Sequence, residues 1–160
     1  MKQSKIRRII GIDPGLASLG WGVIESKNGK IIYVGHGSIT TKPDRPHAER
    51  LFIIMQALRS ILDAYRPTES AVEMLYFGKN VSSAIPVAEA RGVIFAALAE
   101  YGLQVYELQP NTIKKGVTGV TKADKGQVQE MVKIILGLDA IPKPNHAADA
   151  LAAAICAAYS

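Results

Sequence analysis

Cysteine is almost absent: the 160-residue chain holds one, Cys156. A single thiol builds neither a disulfide framework nor a cysteine zinc site, and a reducing, cytoplasmic setting is the expectation. Cys156 also sits inside the apolar run Ala150 to Ala158, where a packed core thiol is expected rather than a nucleophile. Long uninterrupted apolar stretches are equally scarce. That run is the longest, and it falls far short of the roughly 20 residues a membrane-crossing helix needs. At the N-terminus, Lys2, Lys5, Arg7 and Arg8 lead into a stretch broken by Gly11 and Asp13, which is not the pattern of a secretory signal. Acids are outnumbered, with 14 Asp and Glu against 19 Lys and Arg and a net charge of +5. A modest basic excess suits a polyanionic partner, but where the lysines fall matters more than their sum. Repeats and linker-like segments are also missing, so one domain over residues 1–160 is expected.

What is present is enough for a folded core. Apolar residues make up 48% and charged residues 21%, the composition of a globular chain. Arg7 to Asp13 reads as an apolar strand ending in a carboxylate, followed by an Asp-Pro-Gly turn. Gly20 to Glu25 is a second strand, Asn28-Gly29 a two-residue hairpin turn, and Ile31 to Thr41 a third strand, with Gly35 and Gly37 weakening it or marking a bulge. Ala48, Leu51, Phe52, Met55, Leu58, Leu62 and Tyr65 recur at helical spacing until Pro67. Ser70 to Glu73 is a short strand that again ends in an acid. Val81 to Tyr101 is a long helix, apolar nearly all round, so either the core wraps it or a second subunit covers it. Gln104 to Leu108 is a fifth strand and Asn111 to Lys115 a short helix. Gly116 to Gly126 reads as a basic loop rich in Gly and Thr, Gln127 to Leu136 as a helix, and His146 to Ala158 as a last helix capped by Asn145. The order predicts an α/β fold: a mixed five-stranded sheet flanked by helices. Its first three strands pair antiparallel, and the last two lie parallel to the first.

In such a sheet Asp13 and Glu73 share the carboxyl end of neighbouring parallel strands, where ligands gather. Two hard oxygen donors there suit Mg²⁺ or Mn²⁺. His146 and Asp149, three apart, project from one face of the last helix and can complete a metal site. Taken singly, each has a plainer reading: a turn former, a solvated strand-end acid, or an acid in the first turn complementing the helix dipole. Together, Asp13, Glu73, His146 and Asp149 can hold two ions, activating water and stabilising the leaving oxygen in phosphodiester hydrolysis. Glu107 is set aside because it lies inside its strand rather than at its end. Glu89 is expected to be solvated, with Arg91 nearby.

The chain resembles the RuvC family of bacterial Holliday-junction resolvases over essentially its whole length. The resemblance is carried by Gly11-Ile12-Asp13-Pro14-Gly15, Val72-Glu73, Ala90-Arg91-Gly92-Val93, Gln127-Val128-Gln129 with Met131-Val132, and Ala147-Ala148-Asp149-Ala150-Leu151-Ala152. It implies a ribonuclease-H-like fold, a homodimer and Mg²⁺-dependent paired nicking of four-way junction DNA. It also implies ligatable 5′-phosphate and 3′-hydroxyl ends, and a branch-migration motor as partner. The family's metal-binding acids fall on Asp13, Glu73 and Asp149. Its fourth position falls on His146, where many members carry Asp and others His. The family's aromatic wedge falls on Tyr76, with Phe77 beside it, suited to stacking on unpaired bases. Lys114 and Lys125 match basic positions of the family. Lys79, Lys115 and Lys122 add charge nearby, and the flanking Gly and Thr residues add donors for phosphates.

Three other readings compete. A nucleotide-binding lobe of the actin-like ATPase type also begins with a Gly-Ile-Asp-x-Gly hairpin, but 160 residues leave no room for a second lobe. A catalytically silent junction clamp would not need competent ligands at all four positions. A ribonuclease H acting on RNA–DNA hybrids would use the same fold and metal site, and only substrate competition separates it.

Overall fold

The computed structural model describes residues 4–76 and 78–160. Five strands, β1 (Arg7–Asp13), β2 (Ser18–Lys27), β3 (Lys30–Thr40), β4 (Glu69–Glu73) and β5 (Gln104–Leu108), form one sheet in the order β3-β2-β1-β4-β5. β1, β2 and β3 are an antiparallel meander, and β4 runs parallel to both β1 and β5. The β2–β3 turn is made by Asn28 and Gly29, both at positive φ. That is the backbone an Asn-Gly hairpin turn requires. A register shift opposite Val23 and Ile24 leaves Val34 as the extra residue beside Gly35.

The period of two along each strand sorts side chains onto two faces. Ile10, Ile12 and Val72 face α1 (His47–Tyr65) and α2 (Val81–Glu100); Ile9 and Ala71 face α5 (Asn145–Ala158), backed by α3 (Pro110–Thr118) and α4 (Lys125–Leu136). By the same alternation, Asp13 and Glu73 turn toward α5, while Glu107 on β5 turns toward α2.

Helix α5 is the central support of the second face, and residues 150–157 are all buried. It lies unusually close to the sheet because two strand positions have no side chain. A Cβ on Gly11 would stand 1.8 Å from the Ala150 carbonyl oxygen, and one on Gly20 would stand 1.9 Å from that of His146. Any larger residue at either position would push the helix off the sheet.

Several boundaries differ from the sequence expectation. α3 is longer than Asn111 to Lys115, taking in Gly116, Val117 and Thr118 before ending at Gly119 in the left-handed region. Burial of Ile113 and Val117, together with the contact of Gly116 with the Cys156 thiol, supplies the packing that outweighs the helix-poor Gly and Thr. The loop therefore shortens. Asp124 caps α4 through a reciprocal bond pair with Gln127, and Lys125 becomes the first helical residue rather than part of a loop. Asn145 is not the cap of α5; Pro144 holds that position and Asn145 begins the helix. α2 ends at Glu100, and by length and composition it is apolar enough to cross a bilayer. Here it packs on α1 and the sheet and buries Arg91 on its inner face.

Candidate metal centre

The register of the sheet brings the acids together. Asp13 is the last residue of β1 and pairs with Gly20 of β2. Gly20 is also the position on which the His146 backbone rests. Close packing over one glycine thus delivers the start of α5 to the end of β1. His146 Nδ1 donates to Asp13 Oδ2 at 2.9 Å, and ligand atoms of Asp13, His146 and Asp149 all lie within 4.8 Å of one another. Asp13 is largely enclosed, its side chain 16% exposed, whereas the His146 ring is 48% exposed at the rim.

Glu73 closes β4 one step beyond the Ile12–Val72 pair, beside Asp13. It lies outside that tight cluster but shares its electrostatics. Burial and the neighbouring charges of Asp13 and Asp149 push its carboxyl up to about 7. Burial, and to a lesser degree Asp149, also raise Asp13, against the hydrogen bond from His146. Negative charge is therefore concentrated here beyond what the protein itself neutralises. The nearest compensating cation is Lys125, whose Nζ lies 3.1 Å from Asp149 Oδ2.

Two cavities flank Glu73. One is lined by Glu73, Lys114, Lys125 and Asp149, the other by Asp13, Glu73, Tyr76 and Arg91. Tyr76 is 61% exposed at the mouth of the second. Lys79, Lys115 and Lys122 are exposed and line neither cavity. Phe77 lies outside the described residues. Glu107 is held by Arg91 Nη2 at 2.8 Å on the far face of the sheet. Glu89 meets His47 rather than Arg91, at 3.1 Å on the exposed surface. Arg91 was overlooked as a site residue. Its sequence signal was its place in Ala90-Arg91-Gly92-Val93, one of the stretches that carry the family resemblance, which does not name its acceptors.

The family model for the crossover junction endodeoxyribonuclease RuvC matches residues 9–157. The chain belongs to the RuvC family. It is 53% identical to the crossover junction endodeoxyribonuclease RuvC of Treponema denticola over 147 residues, covering 92% of this chain and 83% of the relative. It is 50% identical to that of Chloroflexus aurantiacus over 153 residues, covering 96% and 93%. Among solved structures, RuvC of Thermus thermophilus in complex with a Holliday junction substrate superposes with a TM-score of 0.91 at 36% identity, covering 96% of this chain and 93% of that one. The yeast mitochondrial resolvase Ydc2 shares the fold at a TM-score of 0.68 and 14% identity. These matches establish the expected α/β, ribonuclease-H-like architecture and place the chain in a nuclease family.

Proposed function

We propose that this chain, as a single nuclease domain, resolves four-way (Holliday) DNA junctions by paired symmetric nicks, acting in the cytoplasm in recombination and repair. One observation carries the reading: Asp13 at the end of β1 clusters with His146 and Asp149 of α5, and Glu73 at the end of β4 stands beside them at the same edge of the sheet. The Thermus relative's complex with a junction supports the choice of substrate.

The donor set fits a divalent cation. A carboxyl lifted to about 7 by burial and by the neighbouring charges of Asp13 and Asp149 belongs to a set of hard oxygen donors short of positive charge, with an imidazole beside them. We assign Mg²⁺, with Mn²⁺ as substitute, and two ions per subunit, to Asp13, Glu73, His146 and Asp149. When bound, such a pair supplies activation of the attacking water and stabilisation of the leaving oxygen in an in-line displacement that leaves 5′-phosphate and 3′-hydroxyl ends.

The chain's own contribution is positional. Asp13 and Glu73 stand on strand ends fixed by the sheet. With Nδ1 engaged by Asp13, the second ring nitrogen of His146, Nε2, is the one available to an ion or to a proton from water. Tyr76 offers an exposed ring for stacking beside the acids. Lys114 and Lys125 present ammonium groups to phosphates along the cavity that Glu73 and Asp149 share. Lys79, Lys115 and Lys122 broaden the positive surface.

Two strands need two sites, and a homodimer through α2 supplies them. Val81 and Ile85 are 55% and 51% exposed, and they continue along one stripe through Ala88, Gly92, Ala96 and Ala99. The family adds a branch-migration motor as a further partner.

The test is cleavage of a synthetic mobile junction with Mg²⁺ or Mn²⁺, with duplex DNA and RNA–DNA hybrid as competitors, alongside sedimentation at micromolar concentration. Symmetric nicks from a dimer are expected. Preferential loss of the hybrid would make the chain a ribonuclease H. Binding without nicks under either metal would make it a clamp, and a monomer would remove the basis for paired cleavage. A second outcome concerns the lysines. Neutralising Lys114 and Lys125 together will weaken junction binding and flatten its log–log salt dependence by about two units, about one per phosphate contact. An unchanged slope would take both lysines off the backbone.

A further inference from the structure

We propose that Arg91 is a positioning residue that sets the direction of the Glu73 carboxylate by clamping the peptide bond that follows it. The inference rests on the reading of Glu73 as a donor to the divalent site. Arg91 is 8% exposed on the inner face of α2. Its Nη1 donates to the Glu73 carbonyl oxygen, its Nη2 donates to Glu107 Oε1 at 2.8 Å, and its guanidinium lies 4.9 Å from the centroid of the Phe95 ring. On the other side of the same peptide unit, the Met74 N–H donates to the Leu108 carbonyl at 2.8 Å. The peptide plane leaving Glu73 is therefore gripped at both ends, one by β5 and the other by Arg91. That matters because Glu73 is the last residue of its strand, where the ladder to β1 has already ended at Val72. Without the arginine, ψ of Glu73 would be set by one hydrogen bond alone.

A buried guanidinium is costly unless its donors are satisfied, and here they are divided between a backbone oxygen and a carboxylate. Lysine is no substitute. One ammonium cannot reproduce the planar fork that spans the two acceptors, nor stack on Phe95 in the same way. Arg91 touches the carbonyl of Glu73 rather than its carboxylate. The cations that draw that carboxyl back down are Lys125 and Lys114, so the action of Arg91 is geometric. Glu107 has a matching role as the anchor of the arginine, which explains a strand acid that turns away from the metal-binding edge.

The test is calorimetric titration of the full chain with Mn²⁺ alone, paired with urea unfolding and metal-free junction binding. Arg91→Lys is expected to raise the half-saturating Mn²⁺ concentration about tenfold, the scale typical of partners that orient a metal ligand. Junction affinity should stay within about twofold. Glu107→Gln, at a half-exposed side chain, should raise the half-saturating Mn²⁺ concentration about threefold. A purely structural arginine would lower the urea midpoint and leave the Mn²⁺ titration unmoved, and that result overturns the proposal. If Arg91→Lys fails to fold, a wild-type Mn²⁺ midpoint in Glu107→Gln overturns it equally. A wild-type chain that takes up no Mn²⁺ overturns the metal reading itself, and with it the proposal.

Discussion

Asp149→Asn will stop junction cleavage and leave junction binding intact. The substitution preserves the shape of the side chain and removes one charge from a site made of charges. Asp149 sits at the start of the second turn of α5, 23% exposed, and belongs to the cluster with Asp13 and His146. Residues that only orient a metal ligand typically cost about 10–100-fold in affinity when altered. Removing a direct donor should reach at least the upper end, so the single-turnover rate should fall by about 100-fold or more. Binding should hold because Lys125, which lies 3.1 Å from Asp149, loses its internal partner and becomes free for a phosphate. Electrophoretic binding without metal should therefore be equal to wild type or slightly tighter at low salt. Nicking within about threefold of wild type would remove Asp149 from the metal set and leave Asp13, Glu73 and His146 to carry it.

The acids were legible because strand ends are legible. Apolar runs that stop at Asp13 and Glu73 mark where two parallel strands present their carboxyl ends, and the observed order, with β1 beside β4, puts those ends side by side. Spacing put His146 and Asp149 on one helix face, but it did not give their distance from Asp13. That distance depends on Gly11 and Gly20 leaving room for the Ala-rich helix to lie directly on the sheet. Glycine in a strand can mean a bulge, a bend or a close approach, and only the partner tells which.

Two misreadings have one physical source: local propensity was allowed to stand for packing. Gly116-Val117-Thr118 is a poor helical sequence, yet it stays helical because Ile113 and Val117 are buried and Gly116 packs against Cys156 on α5. Lys125 likewise looked like part of a flexible loop, but Asp124 and Gln127 cap the helix it begins. Lys114 and Lys125 therefore stand on two packed helices rather than a loop, lining one cavity with Glu73 and Asp149. The role of Arg91 was invisible for a different reason. The stretch Ala90-Arg91-Gly92-Val93 marks the arginine but gives no clue to its acceptors, which come from β4 and β5.

In metal-free buffer Glu73→Gln will make the protein more stable at alkaline pH while it abolishes cleavage. The folded chain holds the Glu73 proton up to about 7, against 4.5 for the free side chain. Between those values the folded state binds a proton that the unfolded state has released. The resulting stability is complete below about pH 4.5 and is lost as the pH rises through about 7. Asp13, also raised, adds to the loss in the same direction. Glu69, lowered by its bond to Arg7, acts oppositely, but only below its ordinary value of 4.5. Partial solvation of Glu73 screens much of the penalty, so the metal-free wild type should be about 1 kcal/mol less stable at about pH 8 than at about pH 6. Gln cannot ionise, so the variant should show little of that slope and exceed wild type at the higher pH. Mg²⁺ reverses the order. The ion binds the deprotonated site, so it should restore the wild type by mass action, more at about pH 8 than at about pH 6, while giving the variant much less. Urea unfolding with chelator and with Mg²⁺, at both pH values, measures all four corners. A variant no more stable than wild type in chelator at the higher pH would mean that neither burial nor the neighbouring acids hold the proton on Glu73. The carboxylates that crowd this sheet edge would then be solvated separately rather than held together against their own charge for an ion to join.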